Sequence, residues 1–185
     1  MVCACTHVPA IQCQDGGQIT KSGKFKFCYK SGNRDFKSAK NWCASQGLQL
    51  VQIKTPEKAA AVDDVCSDSC SWLDLTCPSE ESACFNNDQE FSYWQWGDGT
   101  ELSKTHNQME NKGSAIFGGE GTAFCAHFWK DKWMDRKPKW GADPCKVAKY
   151  GALCEQTQLQ TELATSVSIR AEPEGSMLAC MCKAV

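Results

Sequence analysis

Cysteine is the outlier among the reactive side chains of this sequence: 14 of its 185 residues are Cys. An even set spread over the whole length reads as disulfides formed in an oxidising compartment. The extracellular space, a secretory or organellar lumen and a periplasm all qualify. Cys3-Ala4-Cys5 and Cys180-Met181-Cys182 share one spacing at opposite ends of the chain. Either they clasp the two ends together, or their four thiolates hold a zinc ion, for which Cys-x2-Cys is the commoner spacing. Cys66, Cys70, Cys77 and Cys84 flank a short apolar segment and an acidic stretch, and are placed to staple that stretch locally. Other chemistry is sparse. His7, His106 and His127 lie in no His-Glu-x-x-His helix, and the sequence has no Gly-x-Ser-x-Gly elbow and no Gly-x4-Gly-Lys-Ser/Thr loop. We therefore expect no enzyme and no cofactor.

The elements that would position these groups are short. Phe25, Phe27 and Tyr29 alternate with polar residues and predict a strand. Asn33 is a helix cap, Phe36, Ala39 and Cys43 share one helical face, and Gly47 ends that helix. Residues 48–53 read as a strand. Thr55 and Pro56 start a second helix, which Ala59, Ala60, Val62 and Val65 carry to about Cys66. Strands are expected at 72–75, 124–128, 132–135 and 149–154, and Val167 and Ile169 give the tail a weak alternation that suits an edge strand. Net charge −2 provides no overall attraction to nucleic acid. The sequence has no run of about 18 apolar residues to span a bilayer.

Trp94-Gln95-Trp96-Gly97-Asp98-Gly99-Thr100, set between Cys43 and the later Cys125, Cys145 and Cys154, resembles the C-type lectin-like domain in its long form. The resemblance implies an α+β, disulfide-rich fold of two helices and two small antiparallel sheets. It places the domain at residues 13–155, between a Cys-containing extension at 1–12 and a C-terminal extension at 156–185. It implies disulfides Cys43–Cys154, Cys125–Cys145 and, in the N-terminal hairpin, Cys13–Cys28. The family's Trp-Ile-Gly-Leu strand resembles Trp72-Leu73-Asp74-Leu75, with Asp where the family has Gly. Its Trp-Asn-Asp strand resembles Trp133-Met134-Asp135.

Calcium-dependent members hold the ion with a Glu-Pro-Asn-like triplet and that strand's Asn-Asp pair. Here Met109-Glu110-Asn111 lacks the proline, and Met134 offers a thioether, a poor ligand for a cation that wants six to eight oxygens. The resemblance then implies a calcium-independent recognition module for a protein or glycan ligand. Its candidate surface comprises His106, Glu110, Asn111, Glu120, Trp129, Lys130 and Lys132. Lysines interleaved with tryptophans over 129–140 suit a polyanion or a protein interface, and equally suit a strand with Trp133 in the core and its lysines in water. Two other readings stand beside this one. A structural accessory subunit would dock on a larger assembly, such as the lumenal face of a membrane complex. A calcium-dependent carbohydrate-binding lectin would use Glu110, Asn111, Glu120 and Asp135.

Overall fold

A computed structural model describes residues 2–4, 11–66, 71–77, 93–102, 123–130, 138–146, 150–157 and 181–183. Helix α1 spans Phe36–Ser45, and Asp35 caps it, its side chain accepting from the Ser38 amide at 2.6 Å. Asn33, the expected cap, is still in strand β3, Phe25–Arg34, because pairing of Arg34 with Tyr150 carries that strand past it. Gly47 follows the helix at φ 69°, and the Gly47 and Leu48 amides close onto the Ala44 and Cys43 carbonyls. This is the left-handed C-terminal turn that glycine adopts at little cost. Helix α2, Pro56–Val65, starts as expected from a Thr55 cap with proline in its first turn. It buries Ala59, Ala61 and Val62, while Ala60 is exposed.

Two further strands pair at the chain's extremes. Strand β1, Val2–Ala4, lies antiparallel to β10, Met181–Lys183, with Cys3 opposite Cys182. The other strands are β2 (Gln18–Ser22), β4 (Gln49–Leu50), β5 (Ser71–Cys77), β6 (Gln95–Trp96), β7 (Phe124–Lys130), β8 (Pro138–Pro144) and β9 (Tyr150–Glu155). They form one mixed eight-stranded sheet in the order β2-β3-β9-β5-β7-β8, with β4 beside β9 and β6 beside β5. The two small sheets of the expectation thus run together. The joint is a short parallel pairing of Ser71 and Trp72 with Gly151 and Ala152.

Central strand β5 is buried on both faces. Leu73 and Leu75 enter a core with Trp94, Trp96, Phe124, Phe128 and Trp140, while Trp72 enters a second cluster with Cys28, Cys43, Leu50 and Cys154. Disulfides join Cys13 to Cys28, Cys43 to Cys154 and Cys125 to Cys145. Cys66 and Cys77 are also disulfide-bonded. Cys5, Cys70, Cys84, Cys180, Val167 and Ile169 lie outside the described residues.

One strand, β8, was not expected from its sequence pattern. The partner of β7 is β8, which pairs along its whole length from Phe124↔Pro144 to Lys130↔Pro138. Its Trp140 is fully buried, edge-on to Trp96 at 5.7 Å. The expected strand at 132–135, with Trp133, lies outside the described residues, and among the described residues Trp140 is the tryptophan of this hairpin packed against the core.

Candidate functional site

The Trp94–Thr100 motif folds into a tight turn standing on the core. Trp94 and Trp96 are buried, the Leu102 amide donates to the Trp94 carbonyl, and the Trp96 amide donates to the Thr100 carbonyl at 2.8 Å. Gly99 takes φ 83°, a conformation costly for residues with a Cβ. Asp98 Oδ1 accepts from the Thr100 amide at 3.1 Å and its hydroxyl at 2.7 Å, and Oδ2 pairs with Lys54. The motif therefore presents no unsatisfied carboxylate at Asp98.

Burial alone would raise the Asp98 carboxyl pKa. Hydrogen bonds from Lys54 and Thr100, with the Lys54 charge, outweigh it and lower the value to about 2. The ionised pair contributes stability above the usual carboxylate range, and that contribution is lost as pH falls from about 4 towards 2. Both side chains are about one-third exposed, so solvent screening limits the effect to about 1 kcal/mol. Asp98→Asn should lower the unfolding free energy from urea denaturation near neutral pH by that amount, and the gap from wild type should close near pH 2. A gap that persists in acid would place its origin in the turn geometry rather than the charge.

Beneath the turn, Asp74 is buried and explains a neighbouring glycine. Its Oδ1 binds Lys40 Nζ at 2.8 Å and its Oδ2 accepts from Gln52 Nε2 at 3.2 Å. The Gly97 amide donates to the Asp74 carbonyl, and a Cβ on Gly97 would sit 1.8 Å from Asp74 Oδ2.

Strands β7 and β8 lead to the candidate surface. Trp129 and Lys130 sit at the end of this hairpin, opposite Lys139 and Pro138. His106, Glu110, Asn111, Glu120, Lys132 and Asp135 lie outside the described residues. The two positions after Trp140 are Gly141 and Ala142, neither of which has a side-chain oxygen. The described residues contain no group of three or more His, Cys, Asp or Glu placed to hold a metal.

The structure also assembles a cluster that sequence spacing did not reveal. His127 of β7, Asp143 of β8 and Tyr150 of β9 meet, with the Tyr150 hydroxyl donating to Asp143 at 2.6 Å and 3.2 Å from His127 Nε2. The imidazole stacks on the Tyr150 ring at 4.0 Å, and both rings meet Trp72 edge-on. Gly141 leaves room for that imidazole, since a Cβ there would lie 2.4 Å from Nε2. Burial, then the hydrogen bond to Asp143 and its charge, push the Tyr150 hydroxyl far above the usual tyrosine range. It stays protonated at physiological pH and acts as a clamp between three strands.

The mixed sheet, its two flanking helices and long-range disulfides define a stapled recognition domain. The chain belongs to the C-type lectin domain family, whose pattern matches residues 32–156. The CD209 antigens of Nomascus concolor and Homo sapiens are 30% and 29% identical to it over 127 and 131 residues, 66% of this chain. The chain spans only 27% of the length of either. Among solved structures, the mouse scavenger receptor C-type lectin carbohydrate-recognition domain aligns with TM-score 0.52 at 19% identity, covering 74% of this chain and 96% of that one. The cow CD23 carbohydrate-recognition domain, solved in the presence of GlcNAc2Man3 oligosaccharide, aligns with TM-score 0.52 at 18% identity, covering 80% and 97%. These structural likenesses establish the fold. Domains of this family are generally non-catalytic carbohydrate-binding modules. The disulfides and the family suit an extracellular or lumenal location, and no described helix is long and apolar enough to cross a membrane.

Proposed function

We propose that this domain is a recognition module that binds a glycan without a calcium ion. The observation that supports this most directly is strand β8. The resemblance implies an Asn-Asp pair after the strand's tryptophan, and the strand carrying the buried tryptophan has Gly141 and Ala142 there. Two of the side chains that would supply calcium oxygens are absent, and residues 79–137 contain no proline to orient a Glu-Pro-Asn-like triplet. Calcium needs six to eight oxygens, so these losses remove much of a site. The glycan half of the reading draws on the family and on relatives solved with oligosaccharide or N-glycan. The binding face is the 103–122 region with the end of the β7–β8 hairpin, including His106, Glu110, Asn111, Glu120, Trp129, Lys130 and Lys132.

Calorimetry at millimolar calcium should show no saturable heat, and signals on an immobilised glycan panel should be unchanged by EDTA. Loss of glycan binding in EDTA would overturn the calcium-independent reading. Absence of any glycan signal, with a stable protein complex recovered from the native source, would favour the accessory-subunit reading instead.

A further inference from the structure

The β2–β3 hairpin is unusually cationic. Between Gln18 and Arg34 it carries Lys21, Lys24, Lys26, Lys30 and Arg34, with no Asp or Glu, in a chain of net charge −2. Lys30 donates to the Asp15 carbonyl and lies 5.3 Å from the Trp42 ring centroid, and Arg34 Nη1 donates to the Ser31 carbonyl. The other three cations are differently placed. Lys21 and Lys26 are direct cross-strand partners, and both are exposed. Like charges facing one another across an antiparallel pair destabilise it. Lys24, in the turn, is also exposed, with Nζ 5.4 Å from the Phe25 ring centroid. None of the three makes an ion pair with a described residue. The hairpin thus carries an electrostatic cost that nothing described within the domain offsets.

A cleft of about 810 Å³ opens beside this hairpin. Its lining includes Lys24, Phe25, Gln49, Gln52, Thr55 and Glu155. Glu155 is buried, and Lys58 neutralises one carboxylate oxygen while the Gln52 amide donates to the other at 2.9 Å. Burial raises its pKa against the opposing effect of Lys58 and these hydrogen bonds. Lys54 is likewise held by Asp98, so these two lysines set the cleft's walls rather than extend its cationic surface. The remaining carboxylate in the lining is Glu57, in the first turn of α2. Uncompensated positive charge therefore lies at the hairpin end. A half-buried aromatic ring beside amide and hydroxyl groups suits a sugar ring, and three exposed ammonium groups next to it suit anionic substituents.

We infer that the β2–β3 hairpin and its adjoining cleft form a second binding site, separate from the β7–β8 surface, for a sulfated saccharide chain. The sugar ring would lie against Phe25 in the cleft. Sulfates would reach Lys21, Lys24 and Lys26 and relieve their mutual repulsion.

The test uses the full chain in EDTA with a heparin-derived oligosaccharide as probe. Wild type should bind it, and binding should fall steeply as sodium chloride is raised. Combined Lys21→Ala, Lys24→Ala and Lys26→Ala should weaken binding by about tenfold or more. The same variant should keep its circular dichroism spectrum and any binding of neutral glycans, and its melting temperature should be equal or higher, since the facing charges are gone. Failure of wild type to bind the probe, or wild-type affinity in the triple variant, would overturn the proposal. So would a loss confined to a Lys130→Ala/Lys132→Ala variant, which would move the site to the other surface. Equal affinity for single-stranded DNA of matched charge would overturn the saccharide assignment.

Discussion

Gly97→Ala should cost about 3 kcal/mol of stability, at the upper end of what overpacking usually causes. The added methyl would arrive 1.8 Å from Asp74 Oδ2 and 2.3 Å from its Cγ. Asp74 cannot swing away cheaply. It is 3% exposed, and Lys40 and Gln52 hold its two oxygens. The Gly97 backbone is equally fixed, by its hydrogen bond to the Asp74 carbonyl. The decisive measurement is a double-mutant cycle by urea denaturation. In an Asp74→Gly background the three atoms nearest the methyl are gone, so Gly97→Ala should lose most of its effect there, with a coupling of about 2 kcal/mol. Additive losses would show that contact with Asp74 is not the cause. The exchange also accounts for Asp74 standing where the family resemblance implies Gly: the small residue is found across the contact, at 97.

Replacing Cys43 and Cys154 together with Ala should be the most damaging change in the domain. Their bond closes 111 residues between α1 and β9, and both thiol positions are fully buried. Restraint of an unfolded loop of that length is worth about 5 kcal/mol, against about 3 kcal/mol for the 20-residue loop closed by Cys125–Cys145. A domain with total stability of roughly 5–15 kcal/mol would be left marginal by the first loss and would tolerate the second. Paired thermal melts of the two double variants check the order. Equal losses would mean that native-state strain or packing, rather than loop length, sets the contribution.

What could be read from the sequence was mostly local. The start of α2 needs only Thr55 and Pro56, and the end of α1 needs only Gly47, because caps and turns are decided within a few residues. The start of α1 lies at Asp35 rather than the expected Asn33 because a strand pairing with Tyr150, more than 100 residues away, outranks a cap. The same limit applies to β8. Trp140 stands among lysines like its neighbours in sequence, and its place in the core follows from the hydrogen-bonded register with β7. Fold class was legible because the tryptophan turn and the cysteine order form a long composite pattern. Site chemistry was less so. His127, Asp143 and Tyr150 lie on three strands and share no spacing motif, and the opposition of Lys21 and Lys26 exists only once the hairpin turn is placed at Gly23 and Lys24.

The pairing of β1 with β10 has a mechanical consequence. Val2 lies opposite Lys183, so segments continuing from these two points would leave the pair side by side, about a strand spacing apart. Tension applied between them would peel β1 from β10 one hydrogen bond at a time, starting at that end, instead of shearing the whole ladder at once. Cys3 faces Cys182 in this pair and no cysteine is free, so the load that the seam bears should drop when its cysteines are reduced, which pulling with and without reductant would read.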